Sequence, residues 1–147
     1  MPPHDSESTV HLLRELVLHM HLMAADFSGS SGLHTTDIRA LILLLDDQRG
    51  ERSSSPGTLG SRLGLNTAST TALLDRLETR GFVRRERHPT DRRRVVVSVT
   101  DHAVAVGRDF FGPTIDRLTT ILDGYPRRDA DAVARFVGDA VAAVRER

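Results

Sequence analysis

The chain has 147 residues, enough for one globular domain with a real core; 39% are hydrophobic, 27% are charged, and the formal net charge is +0. It has no cysteine, which excludes disulfides, zinc fingers, cysteine nucleophiles and thiol-based redox sensing. Aromatic residues make up only 4%, too few for stacking-based binding of single-stranded nucleic acid.

All the basic residues are arginine, which suits bidentate phosphate and guanine contacts, although a chain-wide compositional bias explains this at least as well. The N-terminus lacks the basic-then-apolar pattern of a signal peptide. The longest apolar run, residues 40–45, is far too short to span a bilayer. The expectation is a cytoplasmic protein with no membrane association.

Residues 1–8 are polar and read as a loose arm. From residue 9 or 10 to 27 the pattern is helical, with Leu12, Leu13, Leu16, Val17, Met20 and Met23 or Ala24 recurring at helix spacing. Residues 28–32, a Ser/Gly run, predict a break. A second helix is expected from Thr35 or Thr36 to about Leu45, burying Ile38, Leu41, Ile42 and Leu45. Residues 46–54 read as a polar loop with a weak third strand at 52–54. Its pair Asp46-Asp47 reads as solvated rather than catalytic.

Ser55-Pro56 is a helix start: Ser accepts a free N–H, and Pro at the first position lacks a donor the helix does not need. Leu59 and Leu63 share a face, and Gly64 is the expected stop. Asn66 caps the next helix, which buries Leu73, Leu74 and Leu77. Its opening turns, Thr67 to Ala72, are small or hydroxylic. Such a helix can approach base edges closely and bond bases or phosphates. Capping and solvation of a helix start explain the same residues equally well.

Gly81 ends that helix. Residues 82–87 and 94–99 predict two strands joined by a turn at 88–93. The segment from Arg76 to Arg94 holds eight arginines and three acids, a local charge of +5 in a neutral chain. That asymmetry marks a polyanion-binding face. A solvated hairpin guarded against edge pairing is the bland alternative. Helix, turn, helix and basic hairpin together define a winged helix-turn-helix, with the second helix the candidate for the major groove. The fold class expected is mainly α (α+β).

Beyond the wing, Thr100 is an N-cap and Asp101 complements the helix dipole. Gly112-Pro113 predicts a kink before Ile115, Leu118, Ile121 and Leu122 resume the period. Gly124-Tyr125-Pro126 is a turn. The last helix, residues 129 to 145, carries Val133, Phe136, Val137, Ala140, Val141 and Val144 as one stripe. Stripes at both ends of the chain need a partner, and a second subunit supplies one. Residues 9–27 and 101–147 are the expected dimerisation helices. Residues 35–100 are the expected winged core, all within a single domain, 1–147.

The stretches LLDRLETRGFVRR (73–85) and DRRRVVVSVT (91–100), with the length and flanking helices, resemble MarR-type transcriptional regulators over nearly the whole chain. The resemblance implies a homodimeric regulator, usually a repressor, that binds pseudo-palindromic double-stranded DNA. It also implies release by a small ligand. Asp91 and Arg93 match the family's Asp-x-Arg wing motif, which implies that Arg93 enters the minor groove and Asp91 holds it. Where the family often has arginine, this sequence has Ala72, which moves base readout onto Thr67, Ser69, Thr71 or the wing. The candidate DNA-binding residues are Thr67, Ser69, Thr70, Thr71, Arg76, Arg80, Arg84, Arg85, Asp91, Arg92, Arg93 and Arg94. Some of these arginines are expected to pair with Glu78 or Glu86 instead.

The expected ligand is small and aromatic or lipophilic. Its pocket walls would come from the first helix, residues 36–45 and residues 103–115, with no individual residues selected. No cofactor is implied. No nucleophile with a base, no phosphate loop and no H-E-x-x-H spacing is present, so an enzyme is not expected. Two alternatives stay open: a winged-helix protein-interaction module without DNA binding, and a metal-responsive regulator assembled from scattered histidines.

Overall fold

The computed structural model describes residues 5–146. It comprises α1 (Ser6–Ser31), α2 (Thr35–Arg49), α3 (Pro56–Leu63), α4 (Thr67–Thr79), β1 (Val83–Arg87), β2 (Val95–Val99), α5 (Asp101–Asp123) and α6 (Arg127–Arg145). The chain divides into two compact units, residues 1–105 and 106–147.

In the first unit, α1 is longer at both ends than the apolar periodicity suggests. Asp5 caps its start, accepting from Glu7 N (3.1 Å) and Ser8 N (3.3 Å). Of the expected loose arm, residues 1–4 lie outside the described residues, and residues 6–8 are helical. The Ser/Gly run does not break the helix where expected. The hydroxyls of Ser30 and Ser31 donate back to the Phe27 carbonyl (3.2 and 2.6 Å), and the helix closes only at Gly32, in the left-handed region at φ 69°. Helix α2 likewise continues past Leu45 to Arg49. Its last turn is held by contacts that the local sequence does not announce.

The core of this unit is aliphatic. Leu33, Leu44, Leu59, Leu74, Leu77 and Val83 are almost wholly buried, together with Ile38, Leu41, Leu73 and Phe82. Helix α3 starts at Ser55, whose Oγ accepts from Thr58 N (3.1 Å), and stops at Gly64 (φ 68°). Helix α4 starts at Asn66, whose Oδ1 accepts from Ser69 N (2.8 Å). Gly60 lets the two helices close on each other: a Cβ built there would lie 2.3 Å from Thr70 Oγ1.

The two strands pair antiparallel in the register Val83↔Val99, Arg85↔Val97 and Arg87↔Val95. Val97 and Val99 alternate onto the core; Arg84, Glu86 and Arg87 of β1 are exposed, and Arg85 is half-buried on the same side as Val83. The expected third strand reduces to one bridge, Ser54↔Val97, with Val97 N donating to Ser54 O (2.8 Å). Thr100 joins the hairpin's base to α5: its Oγ1 donates to Gly81 O (2.5 Å) and accepts from Ala103 N (3.2 Å).

In the second unit, α5 runs on through Pro113 as one helix. Gly124-Tyr125 turns the chain into α6. No described residue from 106 onward is buried. The side chains of Ile115, Leu118, Ile121, Val133, Phe136, Val137 and Val141 are each 40–58% exposed.

Candidate nucleic-acid interface

The outer face of α4 carries Thr67, Ala68, Ser69, Thr71 and Ala72, all exposed. Thr70 does not belong with them. It is 3% exposed and faces α3, and its Oγ1 donates to Asn66 O (2.9 Å). Helix periodicity turns every fourth position inward, and the hydroxyl hides this in a segment where every residue is small.

The arginines divide into two groups. Arg76 is not on the outer face. It lies against α2, where Asp37 is completely buried and takes a two-point bond: Arg76 Nη2 donates to Oδ1 (2.5 Å) and Nε to Oδ2 (3.2 Å). The bond to Asp37 raises the Arg76 guanidinium further above its ordinary value. Arg80 donates to the carbonyls of Gly32 (3.0 Å) and Ser31 (2.7 Å), the C-terminal end of α1. Its guanidinium also lies 5.4 Å from the centre of the Phe82 ring. Arg85 donates from Nη2 to Glu78 Oε2 (2.5 Å) and Asp75 Oδ1 (2.6 Å). The bond to Arg85 lowers Glu78 from its ordinary value, and the bonds to Glu78 and Asp75 raise Arg85. The expectation that some arginines pair internally holds for Arg85 with Glu78. Glu86 takes only a long, exposed contact from Arg84, at 3.7 Å.

The wing tip differs. Among the described residues, the guanidinium groups of Arg92, Arg93 and Arg94 have no hydrogen-bond or ion-pair partner, and all three residues are exposed. The turn that presents them is well tied. Asp91 Oδ1 accepts from Arg93 N (3.1 Å), and Asp91 O accepts from Arg94 N (3.0 Å). Arg94 O in turn accepts from His88 N (2.9 Å), and Arg87 Nη1 donates to Arg92 O (3.0 Å). Asp91 therefore orders the backbone beneath Arg93; its carboxylate does not hold the Arg93 guanidinium.

A second carboxylate, expected to be solvated, is buried. Asp47, in the last turn of α2, is 6% exposed. It accepts from Arg62 Nη1 of α3 (2.7 Å), from Arg52 Nε (3.2 Å) and, in a short bond, from Ser54 Oγ. Burial pushes its carboxyl up, but the Ser54 bond, the Arg62 charge and the arginine hydrogen bonds outweigh that and hold it below the ordinary value. The next residue, Gln48, accepts from Val99 N through Oε1 (2.9 Å). Helix α2 thus grips α4 near its start, and α3 and the wing root near its end. The sequence does not display the arginines that pair with Asp37 from α4 and with Asp47 from α3, because they lie 39 and 15 residues away.

Among the described residues no three His, Asp or Glu side chains converge on a point that could hold a metal ion. No described helix is long and apolar enough to cross a membrane.

A capped hydroxylic helix packed against a hairpin with unpaired arginines at its tip defines a winged helix-turn-helix protein that binds DNA. The model of the MarR family matches residues 36–95. The HTH-type transcriptional regulator YcgE of Bacillus subtilis is 32% identical over 140 residues, covering 95% of this chain and 88% of that protein. The HTH-type transcriptional repressor YetL of the same organism is 29% identical over 119 residues, covering 81% and 70%. The crystal structure of a MepR mutant from Staphylococcus aureus superposes with a TM-score of 0.74 at 14% identity, over 92% of this chain and 96% of that one. MepR has also been solved with ethidium bromide, and a MepR mutant with an oligodeoxyribonucleotide. This chain belongs to the MarR family. It is a DNA-binding transcriptional regulator and not an enzyme.

Proposed function

We propose that the protein is a homodimeric repressor that binds a pseudo-palindromic operator and is released by a small aromatic or lipophilic ligand. The observation that carries this reading is the wing tip: three exposed arginines with no internal partner, on the hairpin that follows α4. Arg93 enters the minor groove, and Arg92, Arg94 and Arg84 hold phosphates. Thr67, Ser69 and Thr71 read base edges. Thr70, Arg76, Arg80 and Arg85 take no part in DNA contact, because their side chains are turned inward or engaged within the protein.

Dimerisation is supported by the uncovered apolar side chains of α1 and of the second unit, with Leu12 at 65% and Ile121 at 58% exposure. A two-fold dimer presents its recognition helices about 34–36 Å apart, one turn of DNA. The whole chain, 1–147, then acts as one functional domain. Repression is favoured by the name of YetL, and ligand release by the ethidium complex of MepR. The ligand acts by favouring a helix spacing that no longer matches DNA.

Fluorescence anisotropy against DNA from upstream of the protein's own gene and against an unrelated duplex tests this, with wild type and Arg93→Ala titrated at several salt concentrations. Preferred binding of the first duplex, weakened steeply by salt and badly impaired by Arg93→Ala, is the expected result. A folded dimer that binds neither duplex at low salt would sink the repressor reading and favour a protein-interaction module.

A further inference from the structure

Arg76 and Arg80 lie one turn apart on the inner side of the recognition helix, and both reach the corner between α1 and α2. Arg76 meets the buried Asp37, whose Oδ2 also accepts from His34 N (3.0 Å) and so closes the first turn of α2. Arg80 meets the last carbonyls of α1, a helix with no basic residue in its own final turn. A cation there offsets the negative end of the helix dipole, so α1 and α4 stabilise each other through this one side chain. The other end of α4 is fixed differently, by the Gly60–Thr70 approach to α3.

We infer that Arg76 and Arg80 are positioning residues: they clamp the recognition helix to the α1–α2 corner, and sequence discrimination depends on that clamp rather than on their charge meeting DNA. The inference rests on α4 being the DNA-reading helix. Both side chains are held at two points by acceptors of the protein itself, so neither guanidinium is free to neutralise a phosphate without leaving its partner. Asp37 would then be left as an unpaired, wholly buried carboxylate, which makes that exchange costly. The geometry also gives α1, which bears exposed Leu12, Leu16, Val17 and Leu18, a direct mechanical connection to α4. Whatever covers α1 and shifts its C-terminal end displaces the carbonyls that Arg80 holds, and α4 with them.

The test uses the full-length protein, a duplex selected by wild type from a randomised pool, and an unrelated duplex. The ratio of the two affinities and the slope of log K against log salt are measured for Asp37→Asn, Arg76→Gln, Arg80→Gln and the double variant D37N/R76Q. Ile38→Val, a core truncation beside Asp37, controls for lost stability alone. The clamp predicts that Asp37→Asn, which removes no cation, lowers the ratio about tenfold, the discrimination that one well-placed base contact supplies. Arg76→Gln lowers it equally, and the double variant loses no more than either single one. Arg80→Gln lowers the ratio with the salt slope unchanged, and Ile38→Val leaves the ratio intact.

A slope shallower by about 0.9 in Arg76→Gln or Arg80→Gln marks a phosphate ligand and overturns the inference. So does a melting temperature that falls in Asp37→Asn while the ratio holds. Should Asp37→Asn fail to fold, Arg80→Gln, an exposed site, decides alone. A wild type that selects no sequence overturns the DNA-reading assignment itself, a result distinct from variants that discriminate as well as wild type.

Discussion

Gly60→Ala sets two magnitudes against each other. In the interior of α3, replacing glycine by alanine reduces the freedom of the unfolded chain and favours folding by about 0.5–1 kcal/mol. The new methyl, however, arrives 2.3 Å from Thr70 Oγ1 and 3.3 Å from both Thr70 Cβ and Cγ2. Thr70 cannot swing clear. Its Oγ1 is tied to Asn66 O (2.9 Å), and moving the hydroxyl aside gives up that bond. The helices must therefore separate, and overpacking of this kind costs about 1–3 kcal/mol. The net expectation is a loss of about 1–2 kcal/mol.

Urea unfolding followed by far-ultraviolet circular dichroism, at one fixed protomer concentration, measures it as a lower midpoint with an unchanged slope. Thr70→Ala in the Gly60→Ala background removes both the hydroxyl and the methyl. The pair should be more stable than the sum of the single changes by about 1 kcal/mol or more. A neutral or stabilising Gly60→Ala, or strictly additive variants, would refute the close approach of α3 and α4.

Three further outcomes are expected. Asp47 is held below its ordinary value of 3.8, so its contribution to stability is complete above that value and is lost as pH falls through the lower folded value. Thermal melts of wild type and Asp47→Asn should therefore converge in strong acid and diverge as pH rises past about 4; parallel curves would show that the carboxylate contributes nothing. Asn66→Ala removes the cap of α4 and should cost about 1 kcal/mol in the same urea assay, with no loss meaning that another group satisfies Ser69 N. Phe136→Asp places a charge in the uncovered stripe of α6 and should turn a dimer into a monomer in light scattering at micromolar concentration; an unchanged mass would place the interface elsewhere.

The elements whose boundaries rest on local chemistry were legible from the residues alone. Ser55-Pro56, Gly64, Asn66, Gly81 and Thr100 each act through a backbone group within a few positions or through their own φ, and a sequence displays such neighbours. The hairpin was legible for the same reason, since its alternation and its Asp91 turn are local. Residues whose role depends on a distant partner were not. Arg76 and Arg80 look like any other arginine in a basic segment until Asp37 and the end of α1 are brought against them, 39 and 48 or 49 residues away. Asp47 reads as solvated because the polar composition of residues 46–54 hides the last turn of α2. The serines after Phe27 read as a break because their hydroxyls bond the helix's own carbonyls, a use that composition cannot separate from a loop.

The sorting of the arginines bears on how the protein travels through a genome. A molecule with a formal net charge of +0 is not drawn to DNA as a whole. Within the winged segment the wing-tip residues Arg92, Arg93 and Arg94 are unengaged, while Arg76 and Arg80 of the recognition helix are committed to the protein's own carboxylate and carbonyls. If the wing makes the contacts proposed for it, random sequence is held chiefly by that small charge cluster, a hold that modest ionic strength weakens. Residence on wrong sites would then be short, favouring a search by frequent release and recapture over long sliding. In the proposed mode an operator would distinguish itself by engaging the α4 face as well, so that dwell time rather than attraction identifies the correct site.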